Sequence, residues 1–328
     1  MKLVAICFSK KGAELLKRLK DCLKGDEVLC FCKMSGDIDE DSGIQAITGE
    51  TADIVRDCFD NQTPLIFAGA CGIAVRLIAP FITDKLHDIP VIVMDELGQN
   101  VIPILSGHVG GANELSERIA NVLGAKAIVT TATDINKTFS VDIFAMENRL
   151  KINNKDGIKD VSGKVLRGEP IRISIEEFPP ESGADVVISE NSISRDYLWL
   201  SPKKYVLGIG CKRGKTREEI ENAVKEALSK LDIDYDDIYA FASIDKKADE
   251  KGLLDLSAFH RIPFVTFSAE ILQKVEGDFE SSDFVKDTVG VDNVCERAAI
   301  LLTGGKGELV LRKQARDGVT VAIARRHF

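Results

Sequence analysis

The eight cysteines include no C-x-x-C pair. The closest two, Cys30 and Cys32, sit in an apparent strand without a compact second pair, so a zinc site of paired ligands is excluded and buried, reduced thiols are expected. No window approaches the ~18 consecutive apolar residues of a membrane span, and the chain opens directly into a strand, so a cytoplasmic protein is expected. Basic excess is missing as well. With 43 Lys and Arg against 52 Asp and Glu, the net charge is −9, which argues against general nucleic-acid binding. Neither G-x-x-x-x-G-K-[ST] nor G-x-S-x-G occurs. No repeat of roughly 20–50 residues is present, which excludes a solenoid.

What is present is an ordinary globular composition, 45% hydrophobic and 29% charged over 328 residues, enough for two or three buried cores. One device recurs three times: strand, Gly-rich loop, helix N-terminus. Continuous apolar runs such as Leu3–Phe8, Pro64–Ala68 and Pro90–Met94 suit strands buried on both faces. They alternate with amphipathic stripes such as Leu15, Leu16 and Leu19. Asp95 to Leu105 reads as an antiparallel excursion through Leu97-Gly98-Gln99-Asn100. The polar stretch 33–43 reads as a mobile surface loop. The pattern gives an α/β class: two three-layer α/β domains with mainly parallel sheets, residues 1–138 and 203–328, joined by a small α+β middle segment, 139–202. In that segment Val141–Leu150 reads as helix, and no chemistry is apparent.

The chain is organised around Ser106-Gly107-His108-Val109-Gly110-Gly111-Ala112-Asn113. Glycines let backbone approach a ligand, and the first amides of the following helix attract anions. His108 is a catalyst or metal ligand if Asp95 or Glu96 orients it, and otherwise a satisfied loop residue. Asp95 and Glu96 follow a buried strand, a place for catalytic carboxylates and equally for a solvated turn. Gly72 opens a second Gly-rich turn. Arg76, one turn into its helix, either holds a ligand carboxylate or pairs with Asp84 or Asp95. The remaining histidines, His87, His260 and His327, sit in plain polar contexts.

A third loop, Gly208-Ile209-Gly210-Cys211-Lys212-Arg213-Gly214-Lys215, invites a dinucleotide reading. That reading lacks the acidic residue expected ~20 positions on, at the end of the next strand. Lys212 and Arg213 suit another carboxylate or phosphate, and a purely structural turn stays open. Thr216 with Glu219 forms a capping box. The charges from Asp245 to Glu250 follow a strand and either face the same cleft or form a solvated helix start, the preferred reading.

These stretches carry a resemblance. CGIAVRLIAP, VMDELGQNVIPILSGHVGGANEL and TTATD, followed by VLGIGCKRGKT, ASIDKKADEKGLL, TFSAEIL, GVDNVCERAA and TVAIAR, resemble the cobalt-precorrin-5A hydrolases, the CbiG-type proteins of anaerobic cobalamin biosynthesis. ADVVIS and WLSP fit the family's linker domain more weakly. Two departures stand out: Lys212 where arginine is common, and His87-Asp88-Ile89-Pro90 in place of Asp-Pro-Ala. Neither is expected to touch the loops ranked highest.

The resemblance implies hydrolytic opening of the δ-lactone of cobalt-precorrin-5A, with loss of a two-carbon fragment as acetaldehyde to give cobalt-precorrin-5B. It implies no cofactor beyond the cobalt carried in the substrate, which could approach His108. The partners implied are a small-molecule cobalt precorrin and transient contacts with neighbouring enzymes of the pathway, without nucleic acid or membrane. The site expected on this basis has His108, Glu96 and Asp95 as catalytic residues. Gly72, Arg76, Ser106, Gly107, Gly110, Gly111, Asn113, Gly210, Lys212, Arg213 and Gly214 bind substrate. The glycine turns of the first and last domains are expected to converge on one cavity. A corrinoid carrier without catalysis and a dinucleotide-dependent oxidoreductase are the alternative readings.

Overall fold

The computed structural model describes residues 1–34, 43–84, 86–131, 135, 136, 138–175, 180–191, 194, 196–280 and 290–327. Most of the polar stretch 33–43 and the last three residues of TTATD lie outside the described residues. The chain divides into two compact units, Met1–Met146 with Ile158–Ile171, and Glu147–Gly157 with Arg172–Phe328. The segment read as a middle domain contributes to both.

The first unit contains β1 (Lys2–Cys7), α1 (Lys10–Cys22), β2 (Glu27–Cys32), β3 (Ile44–Ala46), α2 (Thr51–Asp60) and β4 (Leu65–Ala68). It continues with α3 (Cys71–Ile78), β5 (Val91–Met94), β6 (Asn100–Leu105), α4 (Ala112–Leu123), β7 (Lys126–Ala127), α5 (Val141–Glu147) and α6 (Gly157–Leu166). The sheet order is β3-β2-β1-β4-β5-β6-β7. The first five strands run parallel, while β6 runs against β5. Leu15, Leu16 and Leu19 of α1 and Leu115 and Ile119 of α4 pack on one face. Val55 and Cys58 of α2 and Ala74 and Ile78 of α3 cover the other. That is the expected three-layer domain. Each fully buried leucine contributes about 1.5–3 kcal/mol of transfer free energy.

The reversal of β6 decides where the loops go. Met94 pairs with Val101 and Val91 with Leu105, so β6 ends beside the start of β5. The turns after β1, β4 and β5 therefore open on one edge of the sheet, and the loop after β6 opens on the other.

The second unit starts with a four-stranded sheet of β8 (Leu150–Ile152), β9 (Ile173–Ile175), β10 (Val186–Ile188) and β11 (Leu198–Pro202), in the order β8-β11-β10-β9. The helix expected to reach Leu150 stops at Glu147, because Arg149 adopts a left-handed φ of 53° and Leu150 begins β8. There follow β12 (Tyr205–Cys211), α7 (Arg217–Ser229), β13 (Ile238–Ile244), α8 (Lys251–His260) and β14 (Phe264–Phe267). The unit closes with α9 (Ala269–Gln273), α10 (Cys295–Leu302), β15 (Glu308–Arg316) and β16 (Val319–Arg325). The order is β14-β13-β12-β16-β15; β12, β13 and β14 are parallel and the terminal hairpin is antiparallel. Ile220 and Val224 of α7 and Leu253 and Leu256 of α8 share one core, and Ala298 and Ala299 of α10 with Leu272 of α9 belong to the other.

Gly208 lies in the middle of β12, where an added Cβ would stand 1.7 Å from the Cys295 carbonyl oxygen. The first glycine of the G-x-G run therefore lets α10 lie directly on the strand. Among the described residues no helix is long and apolar enough to cross a membrane.

Candidate functional site

The loop Ser106–Gly111 leaves β6 and enters α4. Ser106 holds a left-handed φ of 55°, and its hydroxyl donates to the Asp88 carbonyl at 2.7 Å. Its own carbonyl accepts the Ala112 amide at 3.0 Å, while the Gly107 carbonyl accepts the Asn113 amide at 3.1 Å. Two of the first α4 amides are thus satisfied by the loop itself. The Gly111 amide donates to His108 O at 2.9 Å, whereas the Gly110 amide has no acceptor among the described residues. Gly111, at φ 82°, is the residue before the helix. A Cβ on Gly110 would stand 2.3 Å from the Ser106 Cβ, and one on Gly107 2.7 Å from the Asn113 Oδ1. The glycines here make a tight ring rather than an open cradle. Asn113 Nδ2 reaches the Thr131 hydroxyl at 3.4 Å, which brings the start of TTATD to the same edge.

The His108 side chain keeps 16% of its surface exposed, so it is neither in a packed interior nor in bulk solvent. Its Nδ1 faces the Ser140 hydroxyl at 3.5 Å and the Asp142 Oδ1 at 3.7 Å. Ser140 Oγ donates to that same Oδ1 at 2.5 Å, and the Ile143 amide adds a bond to it at 3.1 Å. Asp142 lies in the first turn of α5 and is buried, with 7% of its surface exposed. Sequence reasoning missed both residues. Only the S-x-D spacing ahead of a helical stripe signals them, and nothing in the chain ties that spacing to a histidine 32 positions earlier.

The carboxylates expected beside His108 are elsewhere. Asp95 and Glu96 follow β5 on the opposite edge, a six-residue strand away, or roughly 17–20 Å. Asp95 accepts the amides of Leu97 (2.9 Å), Gln99 (3.2 Å) and Asn100 (2.6 Å) and the Asn100 side chain (2.9 Å). Burial alone would raise its pKa, but these hydrogen bonds hold the carboxyl below its ordinary range. It organises the β5–β6 turn. Glu96 is exposed and accepts the Ser9 hydroxyl at 2.5 Å, at the cap of α1.

The Gly72 turn shares that edge. Arg76 bonds neither Asp84 nor Asp95; its Nη1 donates back to the Gly72 carbonyl at 2.9 Å. Within the first unit, then, the two Gly-rich turns do not converge, since the sheet separates them. The segment His87–Pro90, expected to stay clear of the important loops, touches one through Asp88.

In the second unit, Gly210 clears the Thr320 hydroxyl, which a Cβ would meet at 2.6 Å, and Gly214 takes a left-handed φ of 79°. The Lys212 amide donates to Gly318 O at 2.9 Å. The expected capping box is present: Thr216 Oγ1 accepts the Glu219 amide at 3.3 Å and Glu219 accepts the Thr216 amide at 2.9 Å. The run Asp245–Glu250 departs from a solvated helix start, because it braces this loop. Arg213 Nη1 spans both Asp249 oxygens at 2.9 and 3.0 Å, and its Nη2 meets Lys246 O at 3.1 Å. Glu250, 4% exposed, accepts the Gly214 amide at 2.8 Å and pairs with Lys247 at 2.8 Å. Burial pushes its pKa up, but Lys247 and the Gly214 amide win and hold it below the usual range. Among the described residues no group of three or more His, Cys, Asp or Glu could hold a metal ion.

Residues 53–134 match the family model described as Cobalamin synthesis G N-terminal, and residues 205–324 that described as Cobalamin synthesis G C-terminus. The chain is 32% identical over 347 residues to a protein of Salmonella typhimurium named cobalt-precorrin-5A hydrolase, covering 98% of this chain and 97% of that one. A protein of the same name from Priestia megaterium is 29% identical, over 97% of this chain and 93% of its own length. A probable cobalt-precorrin-5A hydrolase of Methanocaldococcus jannaschii is 33% identical over 80% of this chain and 86% of its own. The chain belongs to the cobalt-precorrin-5A hydrolase family.

Proposed function

We propose that this chain is a cobalt-precorrin-5A hydrolase that opens the δ-lactone and releases acetaldehyde to give cobalt-precorrin-5B, with His108 as its base. The observation that carries the catalytic part is the partly exposed imidazole of the SGHxGGAN loop, whose Nδ1 faces the Ser140 hydroxyl and the buried Asp142 carboxylate.

Water adds to the lactone carbonyl as His108 takes its proton, and the tetrahedral intermediate collapses to a ring acetate and a free hydroxyl. The hydroxyl then loses its proton, the adjacent C–C bond breaks, and the two-carbon fragment leaves as acetaldehyde. The electron pair stays on the macrocycle, delocalised over it and the substrate's cobalt, until a proton is returned. One water enters and one aldehyde leaves. Positioned acid–base catalysis supplies ~10²–10⁴-fold to such steps. The Gly110 amide, which has no acceptor among the described residues, is the oxyanion donor this reading prefers. Glu96 is the second-choice base, and its place on the far edge of the sheet disfavours it.

The substrate's acetate and propionate fringe calls for cations; Lys212 and Arg213, both exposed, are proposed to bind such carboxylates, and the place of Arg76 on the far edge from His108 disfavours it. The reading needs no cofactor beyond the substrate's cobalt, and no nucleic acid or membrane; brief contacts with neighbouring pathway enzymes would pass the substrate on. Eight free cysteines, five of them buried, suit a reducing cytoplasm. The test is incubation of the chain with cobalt-precorrin-5A, followed by product mass and volatile aldehyde. Loss of the two-carbon unit is expected, and His108→Ala should lower its rate by at least ~10²-fold. Bound corrinoid without aldehyde would leave a carrier, and near-normal turnover of His108→Ala would remove the base.

A further inference from the structure

We infer that Arg149 and Lys203, beside the Tyr239 ring, form a binding site for a phosphate group, independent of the hydrolase reading above. The residues meet at the edge of the five-stranded sheet where β12 and β13 begin. Tyr205, the first residue of β12, pairs with Arg325 of β16 and Ile238 of β13. Lys203 and Lys204 lead into β12, Tyr239 is the second residue of β13, and Arg326 follows β16. Arg149 comes just ahead of β8, and its carbonyl accepts the Lys203 amide at 3.3 Å. The Lys212–Gly214 loop leaves the other end of β12, a seven-residue strand away, or roughly 23 Å.

Cations crowd this edge. The Arg149 guanidinium lies 4.6 Å from the centre of the Tyr239 ring and that of Arg326 3.6 Å from it, and Arg326 Nη1 donates to the Lys203 carbonyl at 3.3 Å. Their neighbours have acids: Lys151 pairs with Asp237 at 2.9 Å, and Lys204 and Arg325 share Glu190 at 3.2 and 3.4 Å. Arg149 and Lys203 make no ion pair among the described residues. Burial pushes the Lys203 ammonium below its ordinary range; Asp236 and Asp237 pull the other way, and Lys151 and Arg149 add to the push. Contact with a ring face holds a guanidinium without neutralising it. Arg149 also keeps a left-handed φ of 53°, which is costly for a residue with a Cβ.

Two positive charges held together, partly desolvated and uncompensated, call for an anion of matching charge. A phosphate monoester carries about −1.5 to −2 charges at neutral pH, with its acceptor oxygens gathered on one atom. A dicarboxylate spreads the same charge over two separate groups. The guanidinium fork takes two of the phosphate oxygens and the ammonium a third.

The test is calorimetric titration of the full chain at constant ionic strength with inorganic phosphate, glycerol 3-phosphate and succinate. Saturable phosphate binding is expected, with a dissociation constant in the millimolar range or tighter. Arg149→Gln and Lys203→Gln should each weaken it at least ~10-fold, the loss expected of a charge-assisted hydrogen bond. Lys230→Gln, which removes the same charge just past the end of α7, should change it less than ~2-fold. Thermal unfolding without ligand checks that each variant folds. Should Arg149→Gln fail to fold, Lys203→Gln and Arg149→Lys, which keeps the charge and loses the fork, carry the test. Tighter binding of glycerol 3-phosphate than of inorganic phosphate would mark an ester as the ligand, and the reverse a free phosphate. No saturable binding of either, unchanged affinity in the Arg149 and Lys203 variants, or succinate binding as tightly as phosphate would overturn the inference.

Discussion

Ser106 donates its hydroxyl proton to the main-chain carbonyl of Asp88, 2.7 Å away, from a backbone held at φ 55°. The bond ties the His108 loop to the segment that leads into β5. Ser106→Ala should therefore loosen the loop more than it unfolds the protein. The expected cost is about 0.5–1.5 kcal/mol in thermal or urea unfolding, with a larger fall in aldehyde release. A stability loss without any loss of turnover would show that the anchor has no bearing on chemistry.

Gly110→Ala tests the ring more severely. The new methyl would stand 2.3 Å from the Ser106 Cβ and 2.7 Å from the Ser106 carbonyl, so the backbone must shift. Turnover should fall at least ~10-fold, with about 1–3 kcal/mol of destabilisation. Gly111→Ala, where no atom lies within 4 Å, should cost less, since it only forces a left-handed φ on alanine. Equal effects at the two positions would contradict the packing described.

Arg213 is 64% exposed and its partner Asp249 73% exposed, and pairs of that kind contribute ~0–1 kcal/mol. Such a guanidinium can exchange Asp249 for a ligand carboxylate at little cost. Arg213→Ala should weaken corrinoid binding in a visible-absorbance titration, and Asp249→Ala should leave it equal or tighter. Unchanged affinity in Arg213→Ala would take the second unit's loop out of carboxylate binding.

Glu250 should make the second unit acid-sensitive. Its folded pKa lies below the ordinary 4.5, so its stabilising contribution is fully present above that value and is lost as pH falls through the folded pKa. Between about pH 4.5 and the folded value, Glu250→Gln should lose less stability than wild type per unit of pH. At neutral pH, Glu250→Ala should cost ~1–3 kcal/mol by leaving the Gly214 amide and the partly exposed Lys247 ammonium without their acceptor. Parallel acid-unfolding curves for wild type and Glu250→Gln would refute the first of these.

Much of the fold was legible because apolar runs and helical stripes report burial directly. Leu65–Ala68 and Val91–Met94 are buried along their whole length, as continuous runs in a parallel sheet require. Thr216 and Glu219 revealed a helix start through a contact three residues long. The site was legible only as a loop. His108 announces itself between glycines, but its partners Ser140 and Asp142 arrive through tertiary packing, and the four hydrogen bonds that hold Asp95 come from its own turn, which an acidic pair in a sequence does not announce. Gly208 and Gly210 imitate a ligand loop, whereas the Cys295 carbonyl and the Thr320 hydroxyl explain them.

One strand laid head to tail against its neighbour carries a further consequence. Ligands of doubly wound sheets settle where parallel strands finish, in the gap that opens where neighbouring connections diverge; in the first unit that gap falls between β1 and β4. Because β6 turns back, the imidazole stands at the rim where those strands begin. The gap by β1 and β4 is left to its own amides and side chains.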